Sequence, residues 1–246
     1  MNRRDFIKIV SKTTLALGVW PTLSAFQYTP LISTSELIGQ GTPHLVSQSS
    51  YRLRPEAASA FEKLKMAAAK DGIIIKVVSS YRDYAHQNRI WERKYNRFRE
   101  NGLSPTASIE KIIEYSTIPG TSRHHWGTDL DLIDGAKKVE GDVLVPSKFH
   151  GNGPFCKFKE WMDKNAATYD FYLVYTDASE RKGFNYEPWH YSYAPLSIPY
   201  LKSYKKLAIK KLLQQEKILG NTHLTDTFID RYRKENVLDI NPLLLP

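Results

Sequence analysis

The sequence predicts an α+β fold, a small antiparallel sheet flanked by helices with a helical appendage at the C-terminal side. Apolar residues recur at helical spacing after Arg54, short stretches around Asp129–Ile133 and Trp189–Tyr193 alternate with a period of two, and these runs do not follow one another in regular strand–helix–strand order. A chain of 246 residues with 41% hydrophobic and 12% aromatic content buries one sizeable core, so one main domain with appendages is expected.

The elements follow in order. Pro55 suits a first helical turn, Ala57, Phe61, Leu64 and Ala68 keep helical spacing, and Asp71-Gly72 ends the run. Ile73 to Val78 is a β-branched strand. Tyr84 to Glu100 is a strongly basic helix with Ile90, Trp91, Tyr95 and Phe98 on its apolar side. Residues 101–121, rich in Gly, Pro and Ser, are expected as a surface connection around a short helical patch at Ile109 to Glu114. Asp129 to Ile133 alternates as a half-buried strand does. Phe155 to Tyr169 then forms a helix, Phe171 to Tyr175 a strand and Trp189 to Tyr193 another. Beyond Pro199, Tyr204 to Leu219 reads as a Lys-rich amphipathic helix stopped by Gly220-Asn221, with a second over Thr225 to Asn236.

This divides the chain into an N-terminal signal at 1–25, a linker at 26–44, a main domain at 45–199 and a basic helical extension at 200–246. In the signal, Arg3-Arg4 precede the apolar run Thr13 to Trp20 and the small residues Ser24 and Ala25, the pattern of a twin-arginine export segment. Lys8 and Lys12 leave too few apolar residues for a bilayer span, so the expectation is an exported, periplasmic or envelope-associated protein with no stable membrane span after cleavage. The formal net charge of +9 suits anionic partners, but no nucleic-acid motif accompanies it. Cys156, the sole cysteine, excludes an internal disulfide and a Cys-based metal knuckle, and its aromatic neighbours suggest a small buried residue.

A metal site must therefore use histidine and carboxylate. The segment from Ser122 to Asp131 holds His124, His125, Asp129 and Asp131, and a catalytic zinc site needs three protein ligands with one position left for water. Glu187-Pro-Trp-His190 adds a third ligand with a carboxylate three residues away, placed to take a proton from water near a metal. By itself, Glu-x-x-His is a weak signal.

In combination these residues resemble the zinc D-alanyl-D-alanine carboxypeptidases and their endopeptidase relatives, over roughly residues 45 to 195. The pattern Ser-x-His-x-x-Gly-x-Ala-x-Asp meets Ser122, His124, Gly127 and Asp131; Glu-x-Trp-His meets Glu187, Trp189 and His190; and Ser-x-Tyr-Arg followed by Gln resembles Ser79-Ser80-Tyr81-Arg82 and Gln87. The resemblance implies a Zn2+ cofactor on His124, Asp131 and His190, Glu187 as general base and Arg82 as the cation facing the substrate. It also implies contacts to peptidoglycan peptides from Ser122, Gln87, Tyr81 and Trp189. Asp129 stands where the family usually has Ala, and a role orienting a ligand histidine or accepting from Ser122 is expected of it. His125 is expected as a rim or packing residue. A serine mechanism at Ser79 or Ser80 lacks the Ser-x-x-Lys pattern. An endopeptidase with the same site and a non-catalytic wall-binding protein stand as alternatives.

If the twin arginines direct export, replacing Arg3 and Arg4 together by Lys strands the precursor in the cytoplasm. Cell fractionation reads the outcome, and unchanged export would show that the pair is incidental.

Overall fold

The computed structural model describes residues 32–246. The export segment expected at 1–25 lies outside the described residues, as does the first part of the expected linker. The rest of the linker is no free tether: helix α1 (Thr34–Leu37) is capped by the Ser33 hydroxyl, and Leu37 and Ile38 are buried. Trp126 holds it by donating its indole N–H to the Leu37 carbonyl at 3.1 Å. A one-turn helix has no periodicity to display, so only its tertiary partner reveals it.

Strands β1 (Val46–Ser47) and β2 (Arg52–Leu53) form a small hairpin leading to helix α2 (Pro55–Lys70). The expected apolar stripe of α2 is its buried face, with Ala57, Phe61, Leu64 and Ala68 in one core with Leu130, Leu132 and Phe171. Burial of a Phe or Leu side chain contributes about 1.5–3 kcal/mol each.

The main sheet is antiparallel, in the order β3 (Ile75–Ser79), β4 (Asp129–Asp134), β6 (His190–Tyr193) and β5 (Phe171–Leu173). Central β4 is buried along its whole length rather than half-buried. Side chains alternate across a strand, so Leu130 and Leu132 enter the core with α2 while Asp129 and Asp131 share the opposite face. On β6, Tyr191 packs into that same core, leaving His190 and Ser192 beside the two aspartates. Register does the rest: Asp131 lies opposite Ser79 on one neighbour and His190 on the other, and Asp129 opposite Ser192.

Helix α3 spans Tyr84–Glu100 as expected, N-capped by the Asp83 side chain. The connection that follows is not a surface loop. It contains helix α4 (Pro105–Ile112), and Ile109, Ile112, Ile113 and Ile118 are buried against the C-terminal segment. Helix α5 (Cys156–Asn165) begins with a half-exposed Cys156 whose thiol faces Glu160, so Phe155 and Phe158 fill the core in its place.

The C-terminal segment departs most from expectation. Helix α6 (Ala194–Tyr204) runs through the boundary expected at 199/200, with Pro199 inside it. The helix expected over 204–219 is broken: the chain turns after Tyr204, resumes as α7 (Ile209–Gln215), and becomes extended at Glu216. The break lets Ile209, Leu213 and Ile218 reach a core shared with Trp91, Trp126 and Ile118. Helix α8 (Asp226–Tyr232) continues as a π-helical turn through Val237.

Through α8 this segment positions the site. The Tyr232 hydroxyl accepts from the Ile118 backbone N–H at 3.1 Å and lies 2.8 Å from the Thr121 hydroxyl, all buried. Tyr204 donates to the Gly120 carbonyl at 3.0 Å. These bonds fix the chain immediately before Ser122. Tyr232→Phe leaves the Ile118 N–H buried without its acceptor and should destabilise the protein by about 1–3 kcal/mol. Urea unfolding measures the loss; no change in midpoint would mean that the bond holds nothing.

Candidate active site

After β3 the chain passes Ser80, Tyr81 and Arg82, and a single 3₁₀ turn (Arg123–Trp126) lies against it. The contact is largely backbone: Arg82 N–H donates to the His124 carbonyl at 3.1 Å, while the His124 and His125 Nδ1 atoms meet the Ser80 and Arg82 carbonyls at 2.8 and 2.6 Å. Gly127 ends the turn at φ 70°, and a Cβ there would fall 2.7 Å from Leu45 Cδ2, which explains glycine at this motif position.

His124 gives its Nδ1 hydrogen to Ser80 and keeps the Nε2 lone pair for the cavity, 3.4 Å from Asp131 Oδ2. His190 has the opposite arrangement. Its Nε2 donates to Asp129 Oδ2 at 3.0 Å, so Nδ1 faces Glu187 Oε2 at 3.0 Å and Asp131 Oδ1 at 3.9 Å. Ligand atoms of His124, Asp131 and His190 all lie within 4.8 Å of one another. Two imidazoles and a carboxylate, each histidine held from behind, fit a catalytic zinc ion.

The charges fit as well. Burial opposes the Asp131 carboxylate, but His124, His190 and Arg82 outweigh it and hold its pKa at about 2. Burial also opposes a charged His190, yet hydrogen bonds to Asp129 and Glu187 and the Asp131 charge raise its pKa to about 9. Three acids thus surround this ring, a concentration of negative charge that suits a cation at Nδ1 as well as a proton. Glu187 goes the other way, its pKa raised because burial outweighs the favourable contact with His190.

Asp129 is fully buried and saturated. Oδ1 accepts from Thr128 and Ser192 hydroxyls at 2.7 Å each, and Oδ2 from Arg123 Nε at 2.9 Å and from His190. It does not reach Ser122, whose hydroxyl has no hydrogen-bond partner among the described residues. The sequence reading missed Arg123, although a carboxylate in place of the family's Ala signals a need for a buried cation nearby. His125 proves to be packing rather than rim: fully buried, it accepts from Gly120 N–H at 3.2 Å through Nε2 and packs closely on Gly39, and burial pushes its pKa down to about 3.

A cavity of about 550 Å³ brings together Arg82, Ser122, His124, Asp131, Glu187, Trp189 and His190. Its far wall comes from α3 and from the connection read as a surface loop, with Lys94, Arg97, Tyr115 and Thr117. Trp189 packs between Phe149 and Tyr115, at ring separations of 5.7 and 6.3 Å. Two expected substrate contacts stand outside this lining. Tyr81 is buried under the Arg52 guanidinium, and Gln87 is buried with its amide donating to the Thr117 carbonyl at 2.9 Å, so it bears on the cavity through Thr117.

A sheet and its adjoining turn that together present two histidines and a carboxylate beside a buried glutamate define the frame of a metal-dependent hydrolase. The sequence matches the VanY D-alanyl-D-alanine carboxypeptidase family over residues 50–196, and the chain belongs to that family. It is 26% identical over 168 residues to the D-alanyl-D-alanine carboxypeptidase of Enterococcus faecalis, a match covering 68% of this chain and 56% of that protein. The chain therefore spans little more than half the length of that relative. VanYB in complex with D-alanine-D-alanine has the same fold, with a TM-score of 0.51 and 25% identity over 72% of this chain and 92% of that one. So does a variant of the vancomycin-resistance D,D-pentapeptidase VanY in complex with Zn(II), with a TM-score of 0.51 and 24% identity over 71% and 91%.

Asp129 and Asp131, two residues apart on one strand face, should respond differently to replacement. Asp131→Ala removes one of the three candidate ligand groups and should abolish stoichiometric metal binding. Asp129→Ala should weaken zinc about 10–100-fold through His190 and, by leaving Arg123 buried without its carboxylate, cost about 3–5 kcal/mol of stability. Competitive zinc titration and urea unfolding read the two effects. An empty site in Asp129→Ala with retained metal in Asp131→Ala would reverse the assignment.

Proposed function

We propose that the protein is a zinc-dependent D-alanyl-D-alanine carboxypeptidase acting on peptidoglycan stem peptides in the cell envelope. The observation that carries this reading is the convergence of His124, Asp131 and His190 ligand atoms within 4.8 Å, with Glu187 3.0 Å from His190. Family membership supplies the reaction class, and the Arg3-Arg4 segment supports an envelope location. No helix among the described residues is long and apolar enough to cross a membrane.

His124 Nε2, His190 Nδ1 and an Asp131 oxygen would hold the ion. Zinc, when bound, supplies Lewis acidity toward the scissile carbonyl and lowers the pKa of water. Glu187 is the proton carrier: its carboxylate, made more basic by burial, takes a proton from the attacking water and returns it to the leaving amine. Arg82 lies on the cavity wall with its Nε unpartnered, a donor available to the negative charge that develops on the carbonyl oxygen. Ser122 Oγ is likewise unpartnered and holds the peptide. Trp189 closes one side and, with Tyr115, excludes water from the peptide's flank.

Incubation of zinc-loaded protein with a peptide ending in D-Ala-D-Ala should release one alanine, read by mass. Glu187→Gln should retain zinc and thermal stability while turnover falls by about two to four orders of magnitude. Full activity in that variant would remove Glu187 from the mechanism, and chelator-resistant activity would remove the metal.

A further inference from the structure

The basic character of α3 has no part in the chemistry above. Beside its core-facing stripe of Gln87, Trp91 and Tyr95, residues 90, 94, 97 and 98 form a second stripe at i, i+4, i+7 and i+8 that turns to the cavity. Here the stripe is Ile90, Lys94, Arg97 and Phe98, and all four line the catalytic cavity. Two cations thus stand on the cavity side of the helix, Lys94 half-buried and Arg97 exposed toward its mouth.

Neither cation is neutralised. Among the described residues, the cavity's other basic groups are engaged or catalytic: Lys111 pairs with Glu114 at 2.8 Å, Arg123 with Asp129 at 2.9 Å, and Arg82 serves the reacting carbonyl. Lys94 is half-buried and Arg97 exposed, and among the described residues neither the ammonium nor the guanidinium makes an ion pair or a side-chain hydrogen bond, although Arg97 lies 4.9 Å from the centre of the Phe98 ring. The charges acting on Lys94 are Glu187, Arg82, Arg97 and Asp142. Glu187 is engaged with His190, and Asp142 accepts from Leu144 N–H at the exposed rim. A half-buried ammonium beside a second free cation leaves desolvation uncompensated until an anion arrives.

We propose that Lys94 and Arg97 form a second anion subsite, one that selects peptides carrying a free carboxylate on an acidic residue upstream of the cleaved bond. The proposal rests on the carboxypeptidase reading and adds a substrate class to it. The peptide's terminal carboxylate and the reacting carbonyl belong at the Arg82 and Ser122 end, so the α3 wall meets the part of the substrate that enters behind them. Amidation of the acidic residue removes the charge and leaves the two cations unpaired in the complex. Discrimination then comes from the uncompensated cations as much as from the favourable pair.

The test uses two synthetic pentapeptides ending in D-Ala-D-Ala that differ in one group, a free or an amidated D-glutamyl α-carboxyl. The zinc-loaded protein should favour the free acid about tenfold in kcat/KM, the size expected of one charge-assisted contact. That ratio should fall in Lys94→Met and in Arg97→Met, and reach about one in the double variant. Zinc content and circular dichroism of each variant check that the site and fold survive. Equal turnover of the two peptides by the parent, or an undiminished ratio in the double variant, overturns the subsite. Calorimetry of both peptides on Glu187→Gln reads it without turnover. Preferential binding of the acid with no cleavage by the parent keeps the subsite and rejects the carboxypeptidase reading; equal binding rejects the subsite alone.

Discussion

Antiparallel pairing of β4 with β6 is the constraint from which the site follows, because a register that sets Asp131 opposite His190 also sets Asp129 opposite Ser192. Side chains alternate along each strand, so a slip of one residue would turn both aspartates toward the core now occupied by Leu130, Leu132 and Tyr191. Apolar burial on one face therefore fixes polar geometry on the other. The pairing of β3 with β4 extends the same logic outward: Ser79 opposite Asp131 delivers Ser80 and Arg82 to the turn that carries His124.

The buried charges are organised in two layers behind that register. Asp131 and Glu187 face the cavity, whereas Asp129 lies behind His190 and spends both oxygens on four donors. An unsatisfied carboxylate at full burial would be costly, and so would the Arg123 guanidinium beside it; together they stabilise one another and orient the imidazole. His124 reaches the same end by a simpler route, a backbone carbonyl at its Nδ1. One histidine of the site is thus held by charge and the other by chain geometry.

What the sequence makes legible is what local chemistry dictates. Helix α3 could be delimited to the residue because Asp83 caps it and Asn101-Gly102 ends it, and β4 and β6 announce themselves through alternation. Ser122, His124, Asp131, Glu187 and His190 stand out in the sequence as a group through their resemblance to the ordered motifs of the family, whereas Glu187 and His190 by themselves are a weak signal. Long-range partners were not readable. Ile109, Ile112 and Ile118 look like a short patch in a polar connection until α8 supplies Tyr232, Phe228 and Ile229 to cover them. The Lys-rich run after Tyr204 scans as one amphipathic helix, but a straight helix cannot bring Ile209, Leu213 and Ile218 to a curved core, and packing overrides propensity there. Arg123 hid for a different reason, since a cation inside a polar motif looks solvent-facing until its acid partner is known to be buried.

The bond from Tyr232 to Ile118 and Thr121 also bears on the order in which the parts of the site appear along the chain. Every candidate metal ligand precedes residue 191, yet Asn236 grips the Ile113 carbonyl and Asn241 grips those of Leu173 and Val174, so the cleft wall and edge strand β5 are clamped by residues made after all of those ligands. A nascent chain that has emerged only through His190 carries a full complement of donor atoms without the wall that holds the Ser122 turn in place. The donor atoms are therefore complete along the chain before the contacts that hold them in register, and the clamp can be lost without touching a candidate ligand.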